Sequence, residues 1–249
     1  MAKTQYNDSF YGYQMEGSLL SAKEMVPMIY DVFKPKSVID IGCGVGGWLR
    51  AFKEICKIDD IRGVDGDYVK TDKLKIPGEN FTSYDLTKYY DAGRQFDLAM
   101  SLEVGEHLPD AAANDFVKTL VSASRKVLFS AALPGQGGTF HINEQFPEYW
   151  AAKFASHGYL AIDYFRKKIW NNEKIEWWYR QNMLLFIHKD ELANYPQLND
   201  AYQKTDPDFI SRVHPYIIEW KERDIARLKN PIKNLRYHLY LAKQKLKGA

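Results

Sequence analysis

The chain has little sulfur chemistry to offer. Of its 249 residues two are cysteines, Cys43 and Cys56, and their spacing argues against both a disulfide framework and a zinc site. It also lacks any apolar stretch near the roughly 20 residues that cross a bilayer, and the start, from Met1 to Asp8, has no apolar signal core. A cytoplasmic protein without a membrane span is the expectation. Net charge is scarce too, at +2, which by itself points to no polyanionic partner. No internal repeat or low-complexity tract interrupts the chain. Hydrophobic residues at 45% and charged residues at 27% are ordinary for a globular core, and the length suits one large α/β domain with an appendage.

The small net charge is unevenly spread. From Tyr216 onward nine basic residues face three acidic ones, a net of +6 that leaves −4 for everything before it. An acidic body is a poor groove for RNA or DNA, so no nucleic-acid partner is expected. The basic tail keeps an RNA or protein substrate open as an alternative.

What the chain does have is Ser37-Val38-Ile39-Asp40-Ile41-Gly42-Cys43-Gly44-Val45-Gly46-Gly47-Trp48-Leu49, a β-branched run, then glycines, then a helical pattern. A strand, turn and helix of this kind present free N–H groups to a ligand, and Gly42, Gly44 and Gly46 let the backbone approach it closely. Gly42, Gly44 and Gly47 also satisfy the G-x-G-x-x-G spacing of dinucleotide folds. The acid upstream tips the balance. Asp40 before Gly42-Cys43-Gly44-Val45-Gly46 resembles the D/E-x-G-x-G-x-G signature of class I S-adenosylmethionine-dependent methyltransferases, in which the glycines adjoin the methionine part of the cofactor.

Further landmarks follow in order. Ile61 to Asp65 reads as a second strand whose terminal Asp65 is placed to accept hydrogen bonds from both ribose hydroxyls. Phe81 to Leu86 reads as the third strand, and its Asp85-Leu86 end resembles the family's adenine site. Phe96 to Leu102 is an apolar strand running into Glu103-Val104-Gly105-Glu106-His107-Leu108-Pro109, which resembles the segment after the family's fourth strand. The resemblance implies S-adenosyl-L-methionine as cofactor, Glu103 near the reactive methyl or the methionine amine, and His107 one helical turn on. It implies an α/β fold, a Rossmann-like class I methyltransferase sheet, mostly parallel with the last strand antiparallel, with helices on both faces and a C-terminal helical appendage. Ahead of the first strand, Ser21-x-x-Glu24 reads as a capping box opening a helix to Phe33, with Pro27 kinking it. The resemblance implies that the segment before that helix covers the cofactor, with Tyr11, Tyr13 and Gln14 as candidate lid residues, the alternative being ordinary N-terminal packing.

A helix from Asp110 to Ser124 leads to a fifth strand, Lys126 to Ala132. Leu133 to Gln145 then carries glycines together with His141, Asn143 and Glu144, in the position of a site loop. Tyr159 to Phe165 and Asn182 to His188 read as the antiparallel last strands, with an aromatic insert from Ile169 to Gln181 between them. Methyl transfer from a sulfonium needs alignment more than activation of the donor, and a hydroxyl acceptor gains from a general base. His141 is the candidate base, oriented by Glu144 or Asn143. Glu103 and His107 are the other catalytic candidates, although a histidine placed like His107 is more often structural. Glu144, Asn143, Trp170, Tyr179 and Arg180 are candidate acceptor contacts. No Asp/Glu/His set has metal-ligand spacing, so no metal is expected, a Mg²⁺ site built with Glu144 being the alternative.

The runs Gly137 to Gln145 and Glu176 to Asn182 resemble small methyltransferases of bacterial cell-surface (capsular) polysaccharide biosynthesis, a likeness covering Phe10 to Lys189. It implies O-methylation of a sugar, a nucleotide-activated sugar or a capsule-decoration precursor. A non-catalytic, cofactor-binding partner subunit is the alternative from another class. The methyltransferase domain with its lid segment is expected over residues 1–189 and a helical appendage over 190–249. In that appendage Ile218, Ile225, Leu228, Ile232, Leu235, Leu239, Ala242 and Leu246 fall on a heptad seam, interrupted by Lys221 and broken at Pro231. The seam is a candidate homodimer surface.

Overall fold

The computed structural model describes residues 8–229 together with 235 and 239, and for 8–16 and 227 the backbone alone. Seven strands form one sheet: β1 Ser37–Ile41, β2 Asp60–Asp65, β3 Phe81–Ser83, β4 Leu98–Leu102, β5 Lys126–Ser130, β6 Tyr159–Ile162 and β7 Leu184–His188. Their order is β3-β2-β1-β4-β5-β7-β6, and every pairing is parallel except those of β7, which runs antiparallel to β5 and β6. Every residue of β1 is buried, as a parallel strand covered on both faces requires. Its side chains alternate between the two layers. Val38 packs with α1 (Asp8–Phe33) and α2 (Gly47–Cys56) through Met25, Ile29, Leu49 and Phe52, while Ile39 and Ile41 pack with α3 (Ala113–Ala123) and α4 (Pro147–Ala155) through Phe116, Leu120 and Phe154. The strand order reverses between β1 and β4, so the carboxyl ends of these two strands flank the crevice where doubly wound sheets hold ligands. Among the described residues no helix is long and apolar enough to cross a membrane.

Several local expectations change. Helix α1 begins at Asp8, so Ser21 lies inside it and caps nothing: its hydroxyl donates to the Gly17 carbonyl at 2.8 Å and accepts from the Glu176 amide at 2.9 Å. A serine satisfied by the carbonyl one turn back leaves the helix free to continue. Tyr11, Tyr13 and Gln14 fall in this helix, and their side chains lie outside the described residues. Strand β3 stops at Ser83, short of Leu86, because the Asp85 carboxylate accepts from the Thr87 amide and hydroxyl at 3.1 and 2.6 Å and turns the chain. The short helix α5 (Arg166–Ile169) leads into the aromatic insert, which runs through turns to α6 (Trp177–Asn182), with Ile169, Ile175 and Tyr179 in the core.

By its contacts the chain divides into one unit ending at Arg212 and a second beginning at Val213, later than the expected boundary at Lys189. Leu192 and Leu198, the latter on α7 (Pro196–Tyr202), and Ile210 are buried in the two core layers of the first unit, and this apolar burial moves the boundary. The second unit holds α8 (Pro215–Lys229), on which Ile218, Ile225 and Leu228 are exposed, as are Leu235 and Leu239. Pro231, Ile232, Ala242 and Leu246 lie outside the described residues.

Arg166, 1% exposed, ties the insert to the rest of the first unit. Its guanidinium forks onto both oxygens of Asp163 at 2.8 Å and donates to the carbonyls of Gln181 at 3.1 Å and Ile210 at 2.7 Å. Removing it strands a carboxylate and two carbonyls, so Arg166→Met is expected to cost on the order of 3–5 kcal/mol of stability, read from the urea midpoint. A loss below about 1 kcal/mol would show that Arg212, 3.3 Å from Asp163, takes over the pairing.

Candidate active site

The chain leaves β1 through Gly42, whose φ of 86° suits glycine alone. A Cβ there would sit 2.3 Å from the Val104 side chain, so the turn is pressed onto the segment that follows β4. Gly44 faces a cleft of about 190 Å³, with nothing within 4 Å of the Cβ it lacks. Its amide donates to Asp65 Oδ2 at 2.6 Å, while Asp65 Oδ1 accepts from the Gly66 amide at 2.7 Å and from the Tyr68 hydroxyl. Asp65 is therefore buried behind the cleft wall, and Tyr68 forms that part of the wall. Asp40 lines the same cleft, is 3% exposed, and has no hydrogen-bond partner among the described residues. Burial, and secondarily the charge of Asp65, push its pKa from 3.8 up to about 8.

Strand β4 delivers Glu103 in a left-handed backbone conformation, φ 58°, which a non-glycine residue keeps only when its surroundings enforce it. The enforcement is visible. The Glu103 amide donates to the Ser130 carbonyl at 2.9 Å and hydroxyl at 3.1 Å. Its carboxylate accepts from Gln136 Nε2 at 3.1 Å and from Asn182 Nδ2 at 3.1 and 3.2 Å. Gln181 Nε2 donates to Gln136 Oε1 and Asn182 Oδ1, both at 3.0 Å, and so orients both amides. Burial raises the Glu103 pKa, and the donors from Asn182, Ser130 and Gln136 oppose the rise.

A second cleft of about 230 Å³ adjoins the first, and Glu103 and Trp178 line both. Its wall includes Glu106, His107 and His141. Glu144 organises the loop beneath: its carboxylate accepts from the Gly135 and Gly137 amides at 2.7 and 2.8 Å and meets His141 Nδ1 at 2.9 Å. The other ring nitrogen, Nε2, faces Glu106 Oε1 across 4.0 Å. The His107 ring meets the His141 ring edge-on, centroids 4.8 Å apart. Burial, and then the neighbouring His141, lower the His107 pKa to about 4, so its imidazole is neutral at pH 7. Glu106 is fully buried, with no hydrogen-bond partner for either carboxylate oxygen among the described residues. Burial, with the Glu103 charge added, pushes its pKa well above the ordinary range, partly offset by the amides of Glu106 and Ala132.

The other sequence-derived candidates divide. Tyr179 lines the first cleft, its hydroxyl against Ser18 at 3.3 Å and Trp48 at 3.5 Å. Gly46 belongs to the turn, with Ile76 2.9 Å from its absent Cβ. Asn143 is buried, its Oδ1 accepting from Gln145 at 2.9 Å, and lines neither cleft. Arg180 donates to the Trp170 carbonyl at 3.1 Å; neither lines either cleft, and Trp170 borders a separate groove beside Lys167. Asp85 is exposed and engaged with Thr87, while Leu86 fills the core. Gln136, Gln181 and Asn182 were not singled out from the sequence, because side-chain amides in unrelated segments carry no spacing signal. Glu106 was within the quoted motif, but nothing in the motif marks it as unpartnered.

Known proteins share this architecture. Over 84 residues the chain is 32% identical to a probable chloroplastic tocopherol O-methyltransferase of Oryza sativa subsp. japonica, a stretch amounting to 31% of this chain and 23% of that protein, so the chain spans less than a quarter of the curated relative it matches. A candidate O-methyltransferase of Nostoc punctiforme PCC 73102 superposes with a TM-score of 0.54 over 72% of this chain and 59% of its own, at 14% identity. The plantazolicin methyltransferase BpumL, solved with S-adenosylhomocysteine and a desmethylplantazolicin analogue, gives a TM-score of 0.50 over 69% of this chain and 84% of its own, at 15% identity. These two likenesses are of fold. A family model of the methyltransferase domain matches residues 20–199, a span that carries β1 to β7 and both clefts, and the chain therefore belongs to the methyltransferase domain family, whose methyl donor is S-adenosylmethionine.

Proposed function

We propose that the chain is an S-adenosylmethionine-dependent O-methyltransferase acting on a hydroxyl of a small polar acceptor, such as a sugar, a nucleotide-activated sugar or a capsule-decoration precursor. The observation that carries this reading is the meeting of two clefts at Glu103 and Trp178. One is bounded by a glycine turn and an uncommitted aspartate, the other by a histidine cluster, amides and indoles.

The first cleft fits the cofactor. Asp40 offers a free carboxylate to a methionine ammonium, the bare Gly44 backbone leaves room beside it, and Trp48, Leu102 and Tyr179 supply apolar walls. Asp65 stands behind Tyr68, within reach of a ribose hydroxyl that takes the place of the tyrosine hydroxyl. S-adenosylmethionine supplies a methyl group on a positively charged sulfur, a ligand that a site lined with carboxyl groups favours. In the second cleft Trp177 and Trp178 offer faces for a sugar ring, and Gln136 and Thr139 offer hydrogen bonds to its hydroxyls. His141, held at Nδ1 by Glu144, turns Nε2 toward this cleft, where an acceptor hydroxyl must lose its proton.

Asp40 yields a pH test. Its acid is protonated in the ligand-free chain below about 8 and must ionise to face an ammonium, so binding releases a proton and S-adenosylhomocysteine affinity should rise with pH toward that value. Calorimetry on Asp40→Asn should show weaker binding without this rise. NAD binding with no response to S-adenosylhomocysteine would sink the reading.

His141→Ala should lower turnover by roughly a hundredfold or more while S-adenosylhomocysteine binding stays nearly intact. The acceptor for that assay comes from screening nucleotide sugars and phosphorylated precursors for a methyl-sized mass gain. Near-normal turnover of the variant would remove His141 from the chemistry. The exposed Ile225, Leu228, Leu235 and Leu239 support a homodimer through the second unit, since large apolar side chains left in water forgo roughly 1.5–3 kcal/mol each. Sedimentation equilibrium should then find a dimer that a chain ending at Pro215 does not form, and a monomeric full-length chain at every concentration would exclude it.

A further inference from the structure

We propose that Glu106, His107 and His141 form a binding site for a first-row divalent transition-metal cation, open to the second cleft. One ligand atom from each of these residues lies within 4.8 Å of the other two, the only such grouping of three among the described residues. The cluster is built from two segments, the turn after β4 and the loop after β5. Glu106 is 0% exposed, yet neither of its carboxylate oxygens has a hydrogen-bond partner among the described residues. A carboxylate enclosed in this way needs a donor or a cation. Among the described residues the amides of Glu106 and Ala132 come close enough to ease its burial without making a hydrogen bond, and His141 Nε2 is 4.0 Å away, beyond hydrogen-bond reach.

The rest of the arrangement suits a ligand set. His141 Nδ1 is tied to Glu144 Oε1 at 2.9 Å, and Glu144 is itself held by the Gly135 and Gly137 amides. A carboxylate behind a histidine is the outer-shell support that fixes a metal-binding imidazole with its far nitrogen unprotonated. On the other side of that far nitrogen lies Gly138, where an added Cβ would stand 2.2 Å from Nε2, so the loop has no side chain crowding the site. Two imidazole nitrogens and one carboxylate on one side leave positions free toward the cleft. Such a mixed nitrogen and oxygen set selects Mn²⁺, Fe²⁺, Co²⁺ or Zn²⁺ over Mg²⁺ and Ca²⁺, which prefer oxygen alone.

The role of the ion deepens the acceptor reading and rests on it; the existence of the site does not. A cation at the cleft wall lowers the pKa of a hydroxyl that reaches it. The acceptor O–H proton then passes to water in the cleft, and the oxygen keeps the electron pair with which it bonds the methyl carbon. The carbon–sulfur pair stays on sulfur, which leaves as a neutral thioether. His141 serves as a ligand in this arrangement, in place of the expected base.

The test is a Co²⁺ titration of the full-length, chelator-treated and dialysed chain, followed by visible absorption and calorimetry. One Co²⁺ per chain is expected, with affinity at least tenfold weaker in Glu106→Gln and in His107→Ala, while S-adenosylhomocysteine binding by both variants is retained as the control for folding. Glu106→Gln preserves shape, and the wild-type titration stands whatever the variants do. Absence of Co²⁺ binding by the wild-type chain, or equal binding by a folded Glu106→Gln, overturns the proposal. Methylation that proceeds undiminished in chelator overturns the ion's role in the reaction and leaves the methyltransferase reading standing. Stoichiometric Co²⁺ bound at these residues by a chain that methylates no acceptor would support the site and remove the reading on which its role rests.

Discussion

A carboxylate withdrawn from bulk water has to be met by donors, and in this chain the geometry of the whole site follows from how that demand is met at Glu103. Its backbone sits in a left-handed conformation at the end of β4, held by Ser130 of β5. Its carboxylate is held by Gln136 of the loop after β5 and by Asn182 at the end of α6. Gln181 locks those two amides through its side chain, and its own carbonyl accepts from buried Arg166, which also binds Asp163 and the Ile210 carbonyl. One hydrogen-bonded network thus runs from the carboxyl ends of β4 and β5 to the last segment of the first unit. An unmet member would leave a polar group buried at full desolvation cost, so the pieces are ordered together.

The same crevice gathers acids. Burial raises the pKa values of Asp40, Asp65, Glu103 and Glu106 together, and neighbouring carboxyl charges add to the rise at Asp40 and Glu106. A protein that holds unpartnered carboxyl groups in low dielectric loses stability by it unless a positive ligand arrives. Asp40 faces the first cleft and Glu106 the second. Both deficits would be answered by cations, an ammonium with its sulfonium on one side and a metal ion on the other. His107, neutral through burial, adds no positive charge of its own.

Packing decides how the crevice is walled. Gly42 is pressed against Val104, so the glycine turn after β1 and the segment that leads to Glu106 and His107 are packed together. Tyr179 of the insert closes the first cleft against Trp48 and Ser18, and Trp178 next to it divides the two clefts. The insert is therefore at once core and site wall.

By itself the sequence determined what depends on neighbours along the chain. The β-branched run and glycines from Val38 to Gly46 specify a buried strand and an open turn, because backbone freedom and side-chain alternation are local properties. The apolar strands and their order of connection, the acids at the ends of β1, β2 and β4, and the pairing of His141 with Glu144 three residues on were legible for the same reason. Tertiary structure alone decided which polar groups are left unsatisfied. Asp65 is engaged by Gly44 and Tyr68, Asp85 by Thr87, Asn143 by Gln145 and Ser21 by its own helix, whereas the carboxyl groups of Asp40 and Glu106 have no hydrogen-bond partner among the described residues. It also placed the division between the two units after Arg212, kept Trp170 and Arg180 out of the lining of both clefts, and brought Gln136 and Asn182 onto Glu103 with Gln181 behind them. These outcomes depend on which side chains from distant segments share a volume once the sheet has closed. That sharing leaves no periodicity or spacing in the chain.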